Sequence, residues 1–197
     1  MEAIALFENA IIWLRENYAT FQFFVERDVV WTLQKYLISQ IKEQNLPYRV
    51  FNDFPILPGS RRSLCTDLAI LNVNGSVEVA AELKYEPSHN RSDIWPTKFG
   101  PTVVFWGSDG VGKDIERIKE FVTQEKTKVA YSVFIDENGF FSHKPPHPDS
   151  QWIHWDTSDA SLHHVSILWS QVPVQITSKR KYENLSESKT EQNHEHL

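Results

Sequence analysis

The chain has 197 residues, of which 41% are hydrophobic and 13% aromatic, enough to bury one core of ordinary size as a single domain. A single cysteine, Cys65, excludes an internal disulfide framework, and no run of about eighteen apolar residues is present, so a membrane-spanning helix is not expected. The formal net charge of −6 excludes a broadly basic nucleic-acid binder, so any nucleic-acid contact has to be local. A chain with this cysteine content and no basic leader followed by an apolar stretch is expected in a reducing, cytoplasmic compartment.

Residues 2 to 17 carry Ile4, Leu6, Phe7, Ile11 and Leu14 at helical spacing and predict an amphipathic N-terminal helix. A second helix is predicted from Phe21 to Gln44, with Val25, Val29, Val30, Leu33, Tyr36, Leu37 and Ile41 on one side. On a wheel of about 100° per residue, Val29, Val30, Leu33 and Leu37 all fall within about 60° of Glu26. Glu26 therefore sits in the apolar stripe. A carboxylate there either escapes to solvent at the helix start, where the helix dipole favours it, or meets a partner inside the protein, since lone charges are rarely buried.

Tyr48 to Phe54 reads as a strand closed by the Pro55 to Gly59 turn. Leu68 to Val73 and Ser76 to Lys84 follow as two strands, and the Asn74-Gly75 between them predicts a two-residue type I′ hairpin. That turn would oppose Leu71 to Glu78, Ala69 to Ala80 and Asp67 to Glu82, with Lys84 one pleat further on the same face. Opposed carboxylates only about 5 Å apart destabilise a sheet unless a cation sits between them.

An Asp followed fifteen positions later by Glu-x-Lys, here Asp67, Glu82 and Lys84, resembles the catalytic signature of the PD-(D/E)XK nuclease superfamily, the restriction-endonuclease-like fold. The Pro of that signature is Thr66 here. The resemblance implies that Asp67 and Glu82, with the backbone carbonyl of Leu83, hold Mg2+ or Mn2+, and that Lys84 positions or deprotonates the attacking water. An acidic residue of the first helix joins the site in many members, a role that falls to Glu26. The resemblance further implies a metal-dependent phosphodiesterase acting on DNA, and a homodimer would bring two active sites to a duplex.

Beyond the hairpin, residues 86 to 101 are polar and punctuated by Pro and Gly, Thr102 to Trp106 reads as a short strand, and Lys113 to Gln124 as a helix with Ile115, Ile118, Phe121 and Val122 inward. Lys128 to Ile135 is another strand, Asn138-Gly139 predicts a return into Phe140 and Phe141, and Val165 to Val174 supplies a late strand. Helix, three strands, helix and strand over roughly residues 20 to 136 give the αβββαβ order of the resembled superfamily, an α/β fold with a central mixed sheet flanked by helices. The domain is expected over residues 1–177. Residues 178–197, with four basic and four acidic side chains and little apolar content, read as a disordered tail.

Arg61 and Arg62 in the turn before Asp67, and Lys113 and Arg117 one helical turn apart, are the candidates for phosphate contact. Two other motifs carry less. Gly107 to Asp114 nearly spells a P-loop, but Asp114 stands where a magnesium-binding hydroxyl is required and would repel phosphates. His143, His147, His163 and His164 have no structural-zinc spacing. Trp152 and Trp155 are expected to pin an irregular segment to the core. The competing reading is a binding or structural module that kept this fold without turnover.

Overall fold

The computed structural model describes residues 1–59, 63–91, 104–155 and 164–174. Arg61, Arg62, Thr102, His163 and the tail 178–197 lie outside the described residues. The chain folds as α1 (Ala3–Asn17), α2 (Glu26–Glu43), β1 (Tyr48–Leu57), β2 (Leu64–Asn72), β3 (Val77–Glu86), α3 (Val111–Thr123), β4 (Thr127–Glu137), β5 (Gln151–Trp155) and β6 (Val165–Pro173). The sheet is mixed and six-stranded, in the order β1-β2-β3-β4-β6-β5. Among the described strands only β3 and β4 pair in parallel, because α3 lies between them in the chain and carries it back to the same end of the sheet.

Alternation along the strands divides the molecule into three layers. Leu68 and Ile70 of β2, Val79, Ala81, Leu83 and Tyr85 of β3 and Val129, Tyr131, Val133 and Ile135 of β4 pack with α1 and α2. Ala80 and Ala130 on the opposite face meet Ile118, Phe121 and Val122 of α3. Val29, Val30, Leu33 and Leu37 anchor α2, each burial worth roughly 1.5–3 kcal/mol relative to exposure. A buried polar cluster joins the layers at one end: the Tyr18 and Tyr85 hydroxyls donate to Glu137 at 3.3 and 3.1 Å, and the Ser88 N–H donates to it at 2.7 Å.

The second helix starts five residues later than its apolar pattern suggests. Asp28 accepts the N–H groups of Phe24 and Val25 at 2.8 and 3.0 Å, which fixes the chain before Glu26 in an extended entry and makes Asp28 the reaching-back member of a capping arrangement. The hairpin turn also differs from expectation. Gly75 donates to the Asn72 carbonyl and Asn72 to the Ser76 carbonyl, both at 3.0 Å, and of Val73, Asn74 and Gly75 only Gly75 has positive φ, at 83°. A type I′ turn would require Asn74 there too, so the connection is a three-residue loop closed by a left-handed glycine.

That loop pairs Leu71 with Val77 and leaves Glu78 as an extra residue, overturning the expected Leu71–Glu78 opposition. The bulge restores the expected register further along: Ile70 faces Val79, Ala69 faces Ala80 and Leu68 faces Ala81.

Three further segments depart from the sequence pattern. Val104 to Trp106 is not a strand; Val104 donates to Glu86 at 3.0 Å and the Trp106 ring stacks on Phe141, His147 and Trp152. Phe140 and Phe141 do not return as a strand, because Asp136 accepts the N–H groups of Phe140, Phe141 and Ser142 and wraps the chain around its carboxylate. The tryptophan segment is regular, β5 pairing with β6 through Trp152 opposite Leu168 and Trp155 opposite Val165.

Candidate active site

Asp67, Glu82 and Lys84 share the α3 face of the sheet, since their neighbours Leu68, Leu83 and Tyr85 all point into the α1–α2 core. Asp67 accepts the Leu83 N–H at 2.7 Å, which ties the β2 carboxylate directly to the middle residue of the Glu82-Leu83-Lys84 stretch. Glu82 is 1% exposed, and its Oε2 lies 2.6 Å from the Arg117 guanidinium. Its other oxygen, Oε1, is buried with no hydrogen-bond partner.

Lys84 is held from both layers. Its amine is 3.0 Å from Glu26 at the start of α2 and 3.4 Å from Asp114 in the first turn of α3. Glu26 thus reaches the site, though as a part-exposed residue at the helix start and not from within a buried stripe. Arg117 lies between Glu82 and Asp114, at 2.6 and 3.6 Å. It turns inward, while Lys113 remains exposed on the outer side of the helix.

Asp114 is the residue that sequence reasoning set aside. It is 3% exposed and sits among Val111, Ile115 and Ile118 on the buried face of α3, so the wheel argument applied to Glu26 would have singled it out as well. The P-loop-like segment before it is the helix entry, with the Gly107 carbonyl accepting from Gly110 and Gly112. A Cβ on Gly110 would stand 1.8 Å from the Phe105 carbonyl oxygen, so glycine is required for this approach. The same loop and the residues before α2 border an open cleft of about 400 Å3, lined by Phe24, Glu26, Lys84, Phe105, Asp109 and Gly110 among others.

Four carboxylates, Glu26, Asp67, Glu82 and Asp114, thus face two cations, Lys84 and Arg117. Burial, followed by the charge of Asp67, pushes Glu82 up to about 8, with Arg117 opposing. Burial likewise raises Asp67 to about 6, against the Leu83 N–H that favours its charged form. Asp114 is raised by burial, with Lys84 and Arg117 opposing. Burial by itself would lower the Lys84 amine, but Asp114 and Glu26 hold it above its ordinary value and keep it charged.

An excess of carboxylate beside an unpartnered buried oxygen is the donor chemistry that hard divalent cations take, and Asp67, Glu82 and the Leu83 carbonyl are oxygen donors of that kind. Among the described residues no group of three His, Cys, Asp or Glu side chains is already drawn together around a cation position. No described helix is long and apolar enough to cross a membrane. Comparison of the chain with protein-family models, with curated proteins and with solved structures gives no match.

Proposed function

We propose that the protein is a magnesium- or manganese-dependent phosphodiesterase that hydrolyses DNA, built on a restriction-endonuclease-like fold. The observation that carries this reading is Glu82: a fully buried carboxylate beside Asp67 with one oxygen left without a partner, on the same sheet face as Lys84. The meander of β1, β2 and β3 followed by the α3 crossover to a parallel β4 supports the fold assignment, as does the position of the set toward the carboxyl end of β3.

Asp67, Glu82 and the Leu83 carbonyl would hold the ion. When bound, it supplies a polarising charge for the scissile phosphate and the attacking water. Lys84, kept charged by Glu26 and Asp114, offers its amine to the water and to the phosphoryl oxygens as negative charge develops there. Glu26 fixes the direction of that amine and stands at the cleft, where it can orient a water. The Leu83 N–H keeps the Asp67 carboxylate from rotating away.

The test is direct. Purified protein should nick or cut DNA in magnesium or manganese and lose this activity with a chelator. Folded Asp67→Asn and Lys84→Ala variants should be inactive. Calcium should support binding with poor turnover, because its looser coordination suits a near-octahedral site badly. The second reading is a non-catalytic module of the same fold, favoured by the Arg117 guanidinium seated on Glu82. No metal bound by the wild type, together with no DNA affinity at low salt, would make that module the better account.

A further inference from the structure

Resting on the nuclease reading, we propose that Arg117 is the resident counter-ion of Glu82 in the metal-free protein, and that it transfers from this carboxylate to a phosphate of the substrate when a divalent cation enters. Three observations carry this exchange. The first is that the Arg117–Glu82 pair is incomplete. An arginine and a carboxylate commonly pair through two parallel N–H···O bonds. Here one oxygen of Glu82 takes the guanidinium at 2.6 Å while the other, equally buried, has no partner. The carboxylate therefore keeps a ligand position open while Arg117 covers its charge.

The second observation is that Arg117 has somewhere to go. Its side chain is 22% exposed, and Asp114, one turn earlier on the same helix, lies 3.6 Å away. Release from Glu82 would leave the guanidinium near the buried Asp114, with its solvent-facing N–H groups available to an anion. The planar fork of arginine suits phosphate oxygens as well as it suits a carboxylate.

The third is charge. With Glu82 ionised, as a bound cation requires, the four carboxylates of the described residues exceed the two cations by two charges, which one divalent ion would match. A metal arriving with a phosphodiester also brings a negative charge, and the displaced guanidinium is the group placed to meet it. Metal and substrate would therefore bind with mutual reinforcement, each favouring the Arg117 position that the other requires.

The experiment pairs metal binding with DNA binding on the full chain. Magnesium is titrated into wild-type protein by calorimetry while the Arg117 side-chain N–H signals are followed by 15N NMR. Those signals should shift with the midpoint of the metal titration, and Asp67→Asn should abolish both changes. Binding of a short DNA duplex is then measured with chelator and with calcium. Arg117→Met should lower affinity by about tenfold with calcium and by less than about twofold without, as expected for loss of one charge-assisted phosphate contact. Arg117→Lys, which keeps charge but not the fork, should fall between; should Arg117→Met not fold, this variant and the wild-type titration decide the matter. Metal binding that leaves the Arg117 signals unmoved, or equal affinity losses with and without calcium, would overturn the exchange alone. A wild type that binds no divalent ion would overturn both the exchange and the nuclease reading.

Discussion

Replacing Glu82 by glutamine isolates what the buried carboxylate costs the fold. Its proton is held up to about 8 in the native protein against an ordinary value of 4.5. Between those values the native state keeps a proton that the unfolded chain has released. The unfolded state then binds fewer protons, so stability falls as pH rises through this window, the reverse of the usual behaviour of a paired carboxylate. One group titrating alone contributes a slope of about 1.4 kcal/mol per pH unit, and a full window of this width would amount to about 5 kcal/mol. Part of the upward push is the charge of Asp67, which is itself raised to about 6, so about 5 kcal/mol is an upper bound on what Glu82 alone contributes. Glutamine keeps the shape and cannot ionise. In urea unfolding with chelator present, wild type should therefore lose stability relative to Glu82→Gln between about pH 5 and about pH 8, by at most about 5 kcal/mol. Magnesium should restore the wild type at the alkaline end and leave the variant unchanged. Parallel stability profiles for the two proteins without metal would refute the argument that Glu82 is a buried carboxyl under pressure to stay neutral.

Glu26→Gln should slow cleavage more than it lowers the melting temperature, because the side chain is part-exposed yet holds the Lys84 amine at 3.0 Å; an unchanged rate with a large loss of melting temperature would count against its role. Gly110→Ala should destabilise the protein by roughly 2–4 kcal/mol in thermal or urea unfolding, since the added methyl would meet the Phe105 carbonyl at 1.8 Å. Lys113→Ala should weaken DNA binding and reduce the slope of log affinity against log salt by about one unit, read from a salt titration, if its exposed amine contacts a phosphate.

The hairpin shows how sequence and structure relate here. Asn74-Gly75 marked the turn and its neighbourhood correctly, yet the loop has three residues because Asn74 stays out of the left-handed region while Gly75 adopts it. The resulting one-residue offset is cancelled at Glu78, so Ala69 and Leu68 still meet Ala80 and Ala81. Alternating hydrophobicity dictates that outcome: a lasting slip would have driven Leu68 and Ile70 out of the core. Asp67, Glu82 and Lys84 were legible because strand period and spacing place them on one face without reference to distant contacts. Asp114 and the inward turn of Arg117 were not, since both depend on where α3 lands on the sheet. The strand β5 escaped notice because its five residues show no clear alternation and its pairing partner follows it. Val104 to Trp106 has the composition of a strand, but its apolar content serves an aromatic stack with Phe141 and Trp152.

The outer strands bear on how copies of the chain could meet. β1 is a long edge, ten residues from Tyr48 to Leu57, and an exposed edge of that length is a template for pairing with another chain. Two residues blunt it. Asp53 adopts a left-handed backbone, with φ of 48°, between Asn52 and Phe54, and Pro55 has no N–H to offer a neighbouring strand. At the opposite edge β5 is only five residues long. Among the described strands, a continuous sheet running through two molecules is therefore disfavoured at both borders. Restoring a regular ladder at Asp53 and Pro55 would remove this protection and leave the first strand open to edge-to-edge aggregation.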